Sequence, residues 1–166
     1  MWKEVKPEEL KQNMFKTISK DWMLVTAGDQ TAANAMTASW GGMGIMWNKN
    51  VAFLFIRPQR YTKTFLDAKD TFSLSFYDEA NRDALSYMGR VSGRDEDKIA
   101  GSGLTLTFLD GVPAFEEANM VMVCRKYFAQ PMDPGCILDE EVKKTWYPQE
   151  DYHTMYIAEI EKVYVK

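Results

Sequence analysis

Residues 34–40 read Asn34-Ala35-Met36-Thr37-Ala38-Ser39-Trp40 and alternate strictly. As a strand, the segment puts Met36, Ala38 and Trp40 on one face and Ala35, Thr37 and Ser39 on the other. Two hydroxyls so placed stand roughly 6–7 Å apart. Upstream, Trp22 to Ala27 reads as a strand closed by a turn at Gly28-Asp29-Gln30. Downstream, Gly41-Gly42-Met43-Gly44 reads as a flexible stretch with a bulge. Val51 to Ile56 is apolar on both faces, the pattern of a strand inside a core, and Pro58 ends it.

Further out the pattern repeats. Thr71 to Phe76 alternates, which predicts a strand with one wet or ligand-facing side. Asp110-Gly111 is a hairpin signal, and Ala118 to Ala129 and His153 to Val165 read as long strands around an irregular loop at Pro131 to Gly135. The helices are short. Spacing of Leu10, Met14, Phe15 and Ile18 predicts one over residues 7–18, and Thr62 caps another over 63–68. Asp78 caps a helix carrying Ala84, Leu85 and Met88 that stops at Gly89, and Asp95 caps one ending near Gly101. Seven or eight strands with three or four short helices, not in alternation, predict a mainly β, antiparallel barrel with inserted helices.

A chain of 166 residues fits one domain, here taken as 1–166, with a sizeable core. The net charge of −4, with scattered Lys and Arg, lacks the electrostatic footprint of a nucleic-acid binder. The N-terminal residues have no apolar core for a signal peptide, and Val51–Ile56 is too short to cross a bilayer, so a cytoplasmic protein without membrane contact is expected. Cys124 and Cys136, without a Cys-x-x-Cys, point to neither a disulfide scaffold nor a zinc site. His153 is the sole histidine, and no metal site is expected around it. Dinucleotide glycine fingerprints, a P-loop and a Gly-x-Ser-x-Gly elbow are all missing.

Three segments have the chemistry of an anion site. Thr37 and Ser39 offer hydroxyls, although such residues are common on any solvated strand face. Arg57-Pro58-Gln59-Arg60-Tyr61-Thr62 ends a strand with two guanidiniums before a helix start, a combination suited to a phosphate, or simply surface arginines beside a capped helix. Ser92-Gly93-Arg94-Asp95-Glu96-Asp97-Lys98 adds a hydroxyl, a glycine and cations at another helix start, alongside acids that would equally suit a plain capped turn.

Together, in this order, Asn34–Trp40, Arg57–Thr62 and Ser92–Lys98 resemble the flavin reductase-like, FMN-binding split-barrel family, and most of all its flavoredoxin-type members. The resemblance runs from about Trp22 to Val165 and implies an antiparallel Greek-key split β-barrel that binds FMN. It implies that Thr37, Ser39, Arg57, Arg60, Tyr61, Thr62, Ser92 and Lys98 hold the phosphate and ribityl chain, with no role assigned to Arg94. Ala35 and Met36 would give backbone contacts to the ring, and Trp40, with Trp47, would stack on or edge it. It further implies an oxidoreductase fed by NAD(P)H or a redox protein, working as a homodimer; from its residues alone, Trp146-Tyr147-Pro148 reads as a loop over the pocket mouth. In the classical reductases a Gly-Asp-His segment lies near the nicotinamide; here Asp151-Tyr152-His153 replaces it, leaving His153 as a candidate on the substrate side. An FMN electron carrier without turnover is the alternative, and a pyridoxamine phosphate oxidase relative a more distant one.

Overall fold

The computed structural model describes residues 1–166. In chain order the elements are β1 (Lys3–Val5), α1 (Met14–Lys16), β2 (Met23–Gly28), β3 (Ala33–Ala38), β4 (Gly41–Met46), β5 (Lys49–Ile56), α2 (Thr62–Ala68), β6 (Thr71–Phe76), α3 (Arg82–Arg90), α4 (Lys98–Gly101), β7 (Leu106–Leu109), β8 (Val112–Phe115), β9 (Met120–Pro131), α5 (Glu140–Trp146) and β10 (Thr154–Val165). Every strand pair is antiparallel. The main sheet runs β3-β2-β6-β9-β10-β5-β4, with β1 added to β10, and β7–β8 form a separate hairpin. The first half of β10, Thr154 to Glu159, pairs with β5, while its last residues, Val163 to Val165, pair with β1.

The two outermost strands, β3 and β4, are consecutive in the chain with only Ser39 and Trp40 between them. Side chains from both ends of the sheet nevertheless share one interior: Met36 and Ala38 of β3 cluster with Leu54, Phe72, Met122 and Tyr156. The sheet therefore curls into a barrel split between β3 and β4. Gly41 makes that corner. Its φ of +145° is a region open to glycine, and a Cβ there would lie 2.6 Å from the Phe53 carbonyl oxygen.

A second layer lies outside the barrel. Leu85 and Met88 of α3 and Phe115 of β8 pack over Leu24 and Ala35, which explains why every residue of β2 is buried. The same hairpin covers β6. The serine face expected to be wet is dry instead: Ser73 donates to the Pro113 carbonyl at 2.6 Å. The Asp110-Gly111 turn has both residues at positive φ, 51° and 79°, as a two-residue hairpin requires.

Several local expectations are corrected. Residues 7–18 are not one helix: a 3-10 turn at Pro7–Glu9 is followed by α1, which starts where Asn13 accepts from the Lys16 amide, and continues as a π turn at Thr17–Asp21. Asn13 offers the backbone a better start than Pro7. The glycine-rich stretch after Trp40 is strand β4, not a bulge. Thr62 does not cap α2; its hydroxyl is buried and turned to Asn34. Asp78 does not cap by its side chain but accepts from Asn119. The cap of α4 is Asp97 rather than Asp95. Helix α3 runs through Gly89 to Arg90, because there the helix approaches β3 and a Cβ would stand 3.2 Å from Thr37 Cβ.

Candidate functional site

The three sequence segments converge along β3. Asn34 is buried, and its Oδ1 accepts from Thr62 Oγ1 at 2.8 Å, which ties β3 to the start of α2. The Ser92–Arg94 loop lies directly on this pair. A Cβ on Gly93 would come within 2.1 Å of Asn34 Nδ2 and 2.9 Å of Tyr61, so any larger residue would have to push the Asn34 amide aside. Arg94 reaches back to donate to the Gln59 carbonyl at 2.9 Å, with its guanidinium 4.8 Å over the Tyr61 ring.

Two cations sit in the pocket so formed. Arg60 Nη1 donates to the Gly89 carbonyl at 3.1 Å, while its Nη2 is buried with no partner. Lys98 is only 3% exposed. Its Nζ donates to the carbonyls of Met88 and Val91 at 3.0 and 3.1 Å, at the negative end of α3. Burial, then repulsion from Arg60, brings its pKa down to about 8. Neither cation forms an ion pair. The helix-end carbonyls account for Lys98 as a structural residue, but nothing in the protein accounts for Arg60 Nη2. Buried charges are ordinarily paired, and two that repel each other in one pocket fit an anion supplied from outside.

Beside this pocket opens a cleft of about 240 Å³, lined by Met36, Thr37, Ala38, Ser39, Trp40, Phe55, Arg57, Arg60, Trp146 and His153. Its walls are aromatic. Trp40 meets Trp146 edge to face at 5.0 Å and the His153 ring at 5.3 Å. His153 is buried, and its Nδ1 lies 2.7 Å from the Tyr147 hydroxyl. Burial and the Arg57 charge push its pKa down to about 4, against an opposing pull from Asp151. A flat ring carrying an anionic tail suits this combination of aromatic cleft and cationic pocket.

The residues singled out from sequence divide into groups. Met36, Thr37, Ser39, Trp40, Arg57, Arg60 and His153 line the cleft. Tyr61, Thr62, Ser92 and Lys98 do not line it: Thr62 is tied to Asn34, Tyr61 lies against Gly93, Ser92 serves its own loop and Lys98 sits on the end of α3. Ala35 lies under α3 in the outer layer, with its side chain away from the cleft. The Thr37 and Thr62 hydroxyls are already committed, to the Leu85 carbonyl and to Asn34, and Ser92 Oγ accepts from the Arg94 amide. Arg57 is not half of a fork with Arg60. It donates to Asp151 at 2.6 Å and to the Trp146 carbonyl at 2.8 Å, pinning the segment before β10 onto the end of β5. Gln59 shares Asp151 at 2.7 Å, and these two hydrogen bonds, Gln59 first, hold that carboxyl below its ordinary pKa. Trp47 sits on the β4–β5 turn against Tyr127, off the cleft. Phe55 was not among the sequence candidates; it is a cleft wall because alternate residues of β5 face outward.

A split antiparallel barrel with two unpaired cations and an aromatic cleft beside β3 defines a class of fold, and comparison places the chain within it. The sequence pattern of the flavin reductase like domain matches residues 15–166, so the chain belongs to that family. Among solved structures, an FMN-binding domain of a flavin reductases-like enzyme from Shewanella baltica aligns at TM-score 0.72 and 15% identity, over 99% of this chain and 77% of that one. Flavoredoxin of Desulfovibrio vulgaris aligns at 0.68 and 23% identity, over 95% of this chain and 76% of that one. An NADH:FAD oxidoreductase of Streptomyces globisporus aligns at 0.67 and 14% identity, over 98% and 86% respectively. No curated protein sequence matches the chain. No helix is long and apolar enough to cross a membrane.

Proposed function

We propose that the chain is a single-domain FMN-dependent oxidoreductase that takes electrons from NAD(P)H or a redox protein. The observation that carries this reading is an acid-free pair of cations beside an aromatic cleft: Lys98, which is buried, and Arg60, which is half-buried with a buried, unpartnered Nη2. Arg60 and Lys98 would hold the FMN phosphate, and the Met36–Trp40 segment would flank the ring with Trp40 and Trp146 as walls. Bound FMN would supply a ring that accepts and passes on electrons. The protein's part is to anchor, orient and shield: the phosphate meets charges already desolvated, and the Arg57–Asp151 bridge holds the cleft's rim in place. Exposed Ile45, Met46, Trp47 and Tyr127 on the β4–β9 side support a homodimer.

The visible spectrum of the purified protein, before and after FMN addition and desalting, tests the reading. A retained flavin spectrum supports it, and a protein that stays colourless removes it. Anaerobic NADH then separates a reductase, which bleaches, from a carrier that waits for a protein donor.

Affinity for FMN should also depend on pH in a definite direction. A phosphate monoester gains its second charge above about pH 6. Lys98, with a pKa of about 8 in the empty protein, loses its charge above that value. Binding the dianion favours the protonated amine, so proton uptake accompanies binding and affinity falls as pH rises past about 8. Fluorescence titrations across this range should show that alkaline loss in the parent and a flat alkaline limb in Lys98→Met. The same limb in both proteins would remove Lys98 from the phosphate site.

A further inference from the structure

Tyr147 is held on every side. Its amide donates to the Lys143 carbonyl at 2.9 Å and closes α5. The Arg57 guanidinium lies 5.2 Å over its ring, and the Tyr152 ring packs at 4.9 Å, tilted by 33°. Only its hydroxyl has a choice to make. That oxygen lies 2.7 Å from His153 Nδ1 and 3.7 Å from Met132 Sδ. It has one proton, and a thioether sulfur is a weak acceptor beside an imidazole nitrogen. Donation to Nδ1 is the stronger use of that proton, and it places the ring hydrogen of neutral His153 on Nε2.

Nε2 has no partner within the protein, and His153 lines the cleft next to Trp40. The neighbouring guanidinium is engaged, since Arg57 gives its hydrogens to Asp151 and to the Trp146 carbonyl. His153 thus offers an uncharged N–H at an aromatic wall, a donor suited to an uncharged oxygen on a flat ring.

We infer that Tyr147 is a positioning residue, which locks His153 as the Nε2–H tautomer so that it can hold the carbonyl oxygen of a flat ring against Trp40. The assignment of that ring to the carboxamide-bearing ring of the hydride donor rests on the redox function proposed above; the tautomer lock does not.

Because His153 is the only histidine, nitrogen-15 labelling of histidine reads the lock without ambiguity. At neutral pH the parent should show an imine-type Nδ1 and a pyrrole-type Nε2, and Tyr147→Phe, which removes one oxygen and keeps the ring, should show the two tautomers mixed. A protonated Nδ1 in the parent, or an unchanged tautomer in the variant, overturns the inference. In steady-state assays of the FMN-loaded protein, Tyr147→Phe should raise KM for NADH about twofold, the scale set by a mixed tautomer population, with kcat and FMN affinity little changed. A released tautomer with unchanged KM overturns the positioning role while the redox function stands. A protein that holds no FMN and oxidises no NADH overturns both, and the nitrogen-15 spectra then still report whether Tyr147 sets the tautomer.

Discussion

Replacing Arg60 and Lys98 together by methionine should weaken FMN binding by about a thousandfold. Each hydrogen bond to a charged group contributes about 1.5–3 kcal/mol, and about 1.4 kcal/mol is tenfold in affinity. Two such losses near 2 kcal/mol each give about three decades. The effect on folding should be small by comparison. Each cation is desolvated without an acid to offset it, so removing the charge recovers much of what the lost carbonyl bonds give up. Flavin titration and a thermal melt of the empty protein together check this. Parent-like affinity would show that the phosphate lies elsewhere. A collapse of the melting temperature with affinity unchanged would mark the cations as structural.

Gly41→Ala should cost a large share of the protein's stability for a single methyl group. The substitution forces an L side chain into φ +145° and drives a Cβ to 2.6 Å from the Phe53 carbonyl oxygen, in a strand pair that cannot part without breaking β4 from β5. Backbone strain of this kind costs about 1–3 kcal/mol, and the collision adds to it. For a chain this long, a total near 3 kcal/mol lowers the melting temperature by about 10 °C. Since Ser39 and Trp40 lead into this corner, the cleft should loosen as well, and FMN affinity should fall with stability. A melting temperature within about 2 °C of the parent would show that the corner adjusts freely.

The fold was legible where its signals are local. The alternation of Ala35 to Ala38 and the Asp110-Gly111 pair need only neighbours in sequence to be read, and both are present as expected. Helix α5 escaped because nearly all of it is exposed, leaving no apolar stripe; its one signal is Asp139, which accepts from two amides ahead of Glu140 and Glu141. Asp95 and Asp97 are chemically equivalent caps, and the choice between them was made by Lys98 having to reach the end of α3. The site was legible as a set of segments but not as a division of labour. Arg57 and Arg60 look alike in sequence, and what separates them is Asp151, far along the chain, which neutralises one and leaves the other unpaired. Hydroxyls suffer the same ambiguity. Thr37 and Thr62 looked available, and packing against α3 and β3 used their protons.

The placement of β10 has a consequence for how the molecule comes into being. The strand of the barrel that comes last in chain order is not an edge but the middle of the sheet, gripped by β9 on one side and by β5 and β1 on the other. While it is still being made, β5 and β9 each present an open, hydrogen-bond-hungry edge, and the barrel interior lacks Tyr156, Ala158 and Val163. The nascent chain therefore cannot finish its fold piece by piece. It closes in one late, cooperative event built on long-range pairings, and until then it depends on being kept away from other unfinished copies of itself.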